Sequence, residues 1–198
     1  MEKHKLPQRK KIRLKNCDYS GGSSYFVTIC LKKTTDLFLW DKEKTEKWIE
    51  FSSPVFLVDT SEAKENSTSD YDVVFENLPL SEAGLTVKRQ IEKIAEVYRD
   101  VTVPFYVIMA NHIHLLVDNY NFEDKISLSR VIGNFKRAVS RELGVSIWQK
   151  SFYESVLSTE QRYNDAFDYI YYNPFFSLVR TPYIQKLIAE DEENNKRI

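Results

Sequence analysis

Two of the three histidines in this 198-residue chain stand one residue apart, in Met109-Ala110-Asn111-His112-Ile113-His114-Leu115-Leu116-Val117. On a β-strand, side chains two positions apart leave the same face, roughly 6.5 to 7 Å apart along the backbone, so both imidazoles can converge on one metal ion. Ile113 and Leu115 then point the opposite way, into a core. A His-x-His pair is also what two surface or hydrogen-bonded core histidines look like, so partners elsewhere in the chain have to decide between the readings.

The elements that position the pair follow from patterning. Tyr25-Phe26-Val27-Thr28-Ile29-Cys30-Leu31, rich in β-branched and aromatic residues, predicts a first core strand. From a Ser81 cap, Val87, Ile91, Ile94, Ala95 and Tyr98 recur at helical spacing. Val103–Met109 and the histidine segment to Asp118 then read as two antiparallel strands joined by a bend at Ala110-Asn111. A second long helix, about 127–143, buries Leu128, Val131, Ile132, Phe135, Ala138 and Val139. Its other side carries Arg130, Asn134, Arg137 and Arg141, with Lys136 beside them, a stripe that can meet phosphates.

A last strand over Ser151–Leu157 precedes a helix that Thr159 caps and that is expected to end at Tyr172, before Pro174. The order β, α, β, β, α, β, α predicts an α+β chain of the ferredoxin-like split βαβ type. Its four-stranded antiparallel sheet has two helices on one face, and a C-terminal helix follows. Residues 33–81 read as an insertion, in which Phe56-Leu57-Val58 and Val73-Val74-Phe75 pair as a hairpin around a polar, acidic stretch. The expected organisation is a basic arm at 1–22, one domain at 23–180 and a charged tail at 181–198.

Composition fits a globular intracellular protein: 42% apolar, 14% aromatic, no signal peptide and no spanning segment, with only Cys17 and Cys30 as thiols. The expected location is the cytoplasm. Net charge is -1 but unevenly spread. Residues 1–16 hold Lys3, Lys5, Arg9, Lys10, Lys11, Arg13 and Lys15 against Glu2 alone. Residues 59–76 hold six acidic residues against Lys64. Screening limits exposed interactions to about 8 to 10 Å, so a local basic face is sufficient for phosphate binding.

Five segments together resemble the REP-associated tyrosine transposase branch of the single-tyrosine HUH transposases, over nearly the whole chain. They are Arg13-Leu14 through Tyr25-Phe26-Val27-Thr28-Ile29, Leu80-Ser81-Glu82-Ala83-Gly84, and Met109–Leu116 with its histidine pair. The others are Gly133-Asn134-Phe135-Lys136 to Ser140-Arg141, and Ile147-Trp148-Gln149 through Asp168-Tyr169-Ile170-Tyr171-Tyr172-Asn173-Pro174. Ala110 stands where that family usually has proline, which leaves both imidazoles in place.

The resemblance implies that His112 and His114 bind a divalent metal, Mg²⁺ or Mn²⁺, and that Tyr169 is the nucleophile. In such enzymes the tyrosine is joined to a 5′ phosphate and a 3′ hydroxyl is freed. Asn173, four residues after Tyr169, shares its helix face at about 5 to 6 Å between Cβ atoms and is the expected third ligand, an amide oxygen suiting a hard cation. Arg9, Lys10, Lys11, Arg13, Arg130, Lys136, Arg137 and Arg141 are the expected DNA contacts, with Lys136 on the phosphate.

The implied activity is metal-dependent nicking and joining of single-stranded DNA at hairpin or palindromic repeats, by a monomer or homodimer with no membrane partner. Two other readings are a non-catalytic hairpin-binding module of the same fold and a hydrolase that activates water on a metal.

Overall fold

Along Ser23–Cys30 (β1), Tyr25, Val27 and Ile29 are fully buried on one face, while Phe26 and Thr28 turn to the other. That alternation makes β1 a central strand with two packed faces. The computed structural model describes residues 22–33, 35, 38–48, 77–120 and 126–179, the side chains of 175–179 excepted. Val101–Ile108 (β2), His112–Asn119 (β3) and Tyr153–Leu157 (β4) complete an antiparallel sheet in the order β2-β3-β1-β4. With the helices this is the α+β, ferredoxin-like arrangement predicted from the element order.

Helices Glu82–Glu92 (α1) and Leu128–Glu142 (α2) cover one sheet face. There Val27, Ile29, Ile113, Leu115 and Val117 meet Val87 and Ile91 of α1 and Val131, Ile132, Phe135 and Val139 of α2. Helix Glu160–Val179 (α3) lies on the opposite face, where Ala166 and Ile170 pack on Val107, Met109 and Leu116. The sheet is thus enclosed between two apolar layers of unequal size.

The helix starts follow their caps. Ser81 accepts from Gly84 N at 3.2 Å, Ser127 from Arg130 N at 3.3 Å and Thr159 from Arg162 N at 3.3 Å, each meeting an amide of a first turn. Gly84 permits a close approach: a Cβ there would lie 2.1 Å from the carbonyl oxygen of Leu39.

Two sequence expectations are corrected. Ala95 is exposed: α1 closes at Lys93, and in the next turn, Ile94–Val97, the buried positions are Ile94 and then Tyr98, with Ala95 at the edge of that stripe. The last helix does not end at Tyr172 but continues through Pro174 to Val179. An interior proline removes one backbone donor, and here buried Ile170 and Asn173 anchor the turn before it. The arm residues Arg9, Lys10, Lys11 and Arg13, the 56–58 and 73–75 hairpin, the acidic 59–76 stretch and the 181–198 tail lie outside the described residues.

Candidate active site

The site begins with register. Strand β3 lies between β1 and β2, so His114 is opposite Thr28 on one side and Val107 on the other, and His112 is opposite Cys30. Odd positions of β3 enter the α1/α2 core, which leaves both imidazoles on the α3 face with ring centroids 4.7 Å apart. The bend before them is held by backbone: Met109 N donates to His112 O, Leu31 N to Asn111 O and Leu39 N to Ala110 O, all at 2.9 Å. Ala110 therefore turns the chain without a proline.

Each ring is oriented by its Nδ1. His112 Nδ1 lies 2.7 Å from the side-chain oxygen of Asn111, which only accepts, so Nδ1 carries the proton and Nε2 keeps its lone pair. His114 Nδ1 lies 2.8 Å from Thr28 Oγ1. With the hydroxyl accepting, His114 too presents a bare Nε2, and this atom is buried without a hydrogen-bond partner among the described residues. Burial lowers the pKa of His112, and burial followed by the charge of His112 lowers that of His114 to about 3. Both rings are neutral at neutral pH, the form that binds metals.

Helix α3 brings Tyr169 over this pair. Its ring lies 5.2 Å from His114, edge to face, and the residue is 47% exposed. Phe26 completes a triangle of rings with them, stacked on His114 at 5.2 Å and edge-on to Tyr169 at 5.6 Å. A groove beside Tyr169 is lined by Phe26, Ser155, Leu157, Arg162 and Asp165. Asn173, one turn beyond Tyr169, is buried.

Do these residues fit a metal ion? Among the described residues no three His, Cys, Asp or Glu side chains gather into a ligand cluster. The donors that the structure brings together are two imidazole nitrogens, which would leave coordination positions for further ligands such as water or a phosphate. The unpartnered Nε2 of buried His114 is the feature that an ion would satisfy. The site fits a divalent cation.

The structure brings His112, His114 and Tyr169 together. Arg130, Arg137 and Arg141 are exposed on α2, which packs on the other sheet face. Lys136 is half-buried, its Nζ donating to Gln149 O at 2.6 Å and Ser151 O at 3.3 Å. Sequence reasoning missed Phe26, Thr28 and Asn111 as site residues. Asn111 adjoins His112 and was open to notice. Phe26 and Thr28 reach the site only through the β1/β3 register, of which their alternation gave the face but not the partner.

A four-stranded ferredoxin-like sheet thus bears a His-x-His strand beneath a helix that carries a tyrosine. No family profile matches the chain. It is 23% identical over 195 residues to an uncharacterized protein of Haemophilus influenzae, covering 85% of this chain and 89% of that one. Among solved structures it is similar to a REP-associated tyrosine transposase bound to a REP hairpin, with a TM-score of 0.50 and 16% identity over 83% of this chain and 76% of the other. The fold is the one the sequence resemblance implied. Among the described residues no helix is long and apolar enough to cross a membrane.

Proposed function

We propose that the protein is a metal-dependent single-stranded DNA endonuclease and strand transferase that acts at hairpin or palindromic repeats through a 5′-phosphotyrosine on Tyr169. The observation that carries this reading is the convergence of buried, unpartnered His114 Nε2 with the His112 and Tyr169 rings. The similarity in fold to a transposase solved with a hairpin supports the substrate class.

The Tyr169 oxygen attacks the scissile phosphorus. A tyrosyl O–P bond forms as the P–O3′ bond breaks; the phenol gives its proton to water and the released 3′ oxygen takes one up, so the step is proton-neutral. Attack on the phosphotyrosine by another 3′ hydroxyl reverses the step and joins strands without an external energy source. Mg²⁺ or Mn²⁺, held by Nε2 of His112 and His114 and by Asn173, would neutralise the phosphate as a Lewis acid and orient its leaving oxygen. Phe26 packs on both His114 and Tyr169, Asn111 accepts from His112 Nδ1 and so leaves Nε2 of His112 free, and the Thr28 hydroxyl orients the His114 ring through Nδ1.

The test is incubation of single-stranded hairpin oligonucleotides with protein and Mn²⁺ or Mg²⁺, followed by a denaturing gel. A covalent protein–DNA adduct is expected from the wild type and none from Tyr169→Phe. An equal adduct from Tyr169→Phe would remove the assigned nucleophile. Hairpin binding with no adduct, indifferent to chelator and to His112→Ala, would identify a binding module instead.

A further inference from the structure

The groove beside Tyr169 shares Phe26 and Tyr169 with the candidate centre, and its other walls are not used by the chemistry. Phe26 stacks on His114 and also lines the groove. It is the register partner of Ser155 on the edge strand β4, so the Ser155 side chain leaves the same sheet face. Arg162 and Asp165 line the groove from α3, and Leu157 adds apolar surface. Its volume is about 270 Å³. That is just below the roughly 300 to 1,000 Å³ of pockets for drug-sized ligands, so it suits one small ring system.

Arg162 and Asp165 stand three residues apart on a helix, a spacing at which opposite charges can pair. Among the described residues no ion pair joins them. Asp165 Oδ1 instead accepts from Gln161 Nε2 at 2.8 Å, which holds the carboxylate from one turn back. Asp165 Oδ2 and the Arg162 guanidinium have no partner among the described residues. A phosphate is a poor occupant, because Asp165 would meet it charge to charge. A nucleobase is a good one. It is flat, packs on aromatic rings, and sets donors and acceptors side by side on one edge, where a carboxylate and a guanidinium can read both.

We propose that this groove takes the unpaired base of a nucleotide adjoining the scissile phosphate, packed against Phe26, with Asp165 accepting from its amine and Arg162 donating to its acceptor. Cytosine, adenine and guanine each set an exocyclic amine beside a ring acceptor, whereas thymine has no amine and turns carbonyl oxygens toward the carboxylate. The inference rests on the proposed action on single-stranded DNA and adds sequence reading, by this chain's own side chains, at the point of cleavage.

The experiment incubates protein and Mn²⁺ with hairpin oligonucleotides whose single-stranded flanks are randomised, isolates covalent adducts on a denaturing gel, and sequences the attached and the released strands. Wild type is expected to disfavour thymine by about ten- to a hundredfold at one nucleotide next to the cut. Arg162→Ala and Asp165→Asn are each expected to flatten that bias, and Asp165→Asn the more, because its amide can donate to a carbonyl. Both side chains are exposed, so Tm should not move. Three outcomes overturn the inference and leave the nucleophile in place: no bias next to the cut in wild type, a bias that survives in the Arg162→Ala, Asp165→Asn double variant, or an Asp165→Asn that loses adduct equally on every flank. A wild type that forms no adduct on any flank overturns the proposed function instead. Fluorescence anisotropy with short oligonucleotides of dC and of dT then decides the inference separately: tighter binding of dC that the double variant loses supports it, and equal affinities in wild type overturn it.

Discussion

Thr28 determines how His114 presents itself, because its hydroxyl meets Nδ1 at 2.8 Å and leaves Nε2 to face the site. Loss of an oriented outer partner typically weakens a metal site about 10- to 100-fold. Thr28→Val is therefore expected to lower Mn²⁺ affinity by that order, measured by titration calorimetry, with little change in far-UV circular dichroism. The imidazole also sets a pH limit. His114 titrates at about 3 in the folded chain against about 6.5 when unfolded, so below pH 6.5 the unfolded state binds the extra proton. Its contribution is complete above pH 6.5 and is lost as pH falls toward 3. At pH 5 the deficit is on the order of 2 kcal/mol. Urea unfolding of metal-free protein from pH 7 to 4.5 should show this fall, and His114→Gln should flatten it.

Elements carry the next set of consequences, and Gly84 shows how far they reach. Leu39 O lies against Gly84, Ser81 N donates to that same oxygen, and Leu39 N donates to Ala110 O in the bend before His112. A methyl at Gly84 must push the Leu39 backbone away, a change that costs about 1 to 3 kcal/mol in overpacking. Gly84→Ala is expected to lower Tm and also to weaken metal binding, although it touches no ligand, as paired melts and Mn²⁺ titrations can measure. Little of this was legible in the chain beforehand. Strand and helix order could be read because apolar residues alternate along β1 and recur every third or fourth position along α2. The shared face of His112 and His114 followed from the two-residue period of a strand. Tyr169 came from family resemblance, since twelve tyrosines make spacing alone uninformative. The Phe26 stack, the Thr28 bond and the Leu39 contact join residues far apart in sequence, and no local pattern encodes such pairings. The run of α3 past Pro174 was missed because a local rule yields where the preceding turn is anchored.

At the scale of the whole molecule, the two sides of the sheet are unequally secured. The face under α1 and α2 is one large continuous core, whereas α3 is held by Ala166 and Ile170 on Val107, Met109 and Leu116, with partly buried neighbours. Local opening follows buried apolar contact, so α3 amides are expected to exchange hydrogen at lower free energy than those of β1 or β3. Hydrogen-exchange mass spectrometry resolves the two groups. Ile170→Ala removes a fully buried side chain from the smaller core, with an expected loss of about 2 to 5 kcal/mol that falls first on α3 docking. Adduct formation should then disappear at a temperature where the sheet is still native by circular dichroism.

The division of the centre between a strand in the firmer layer and a helix on the weaker one has a protective side. Under the proposed function, a chain whose last helix has not docked would hold histidines without a nucleophile, and a detached helix a nucleophile without histidines. Neither half alone could then break a strand, so loss of α3 docking by heat or partial proteolysis would switch the proposed activity off before it could act on the wrong DNA.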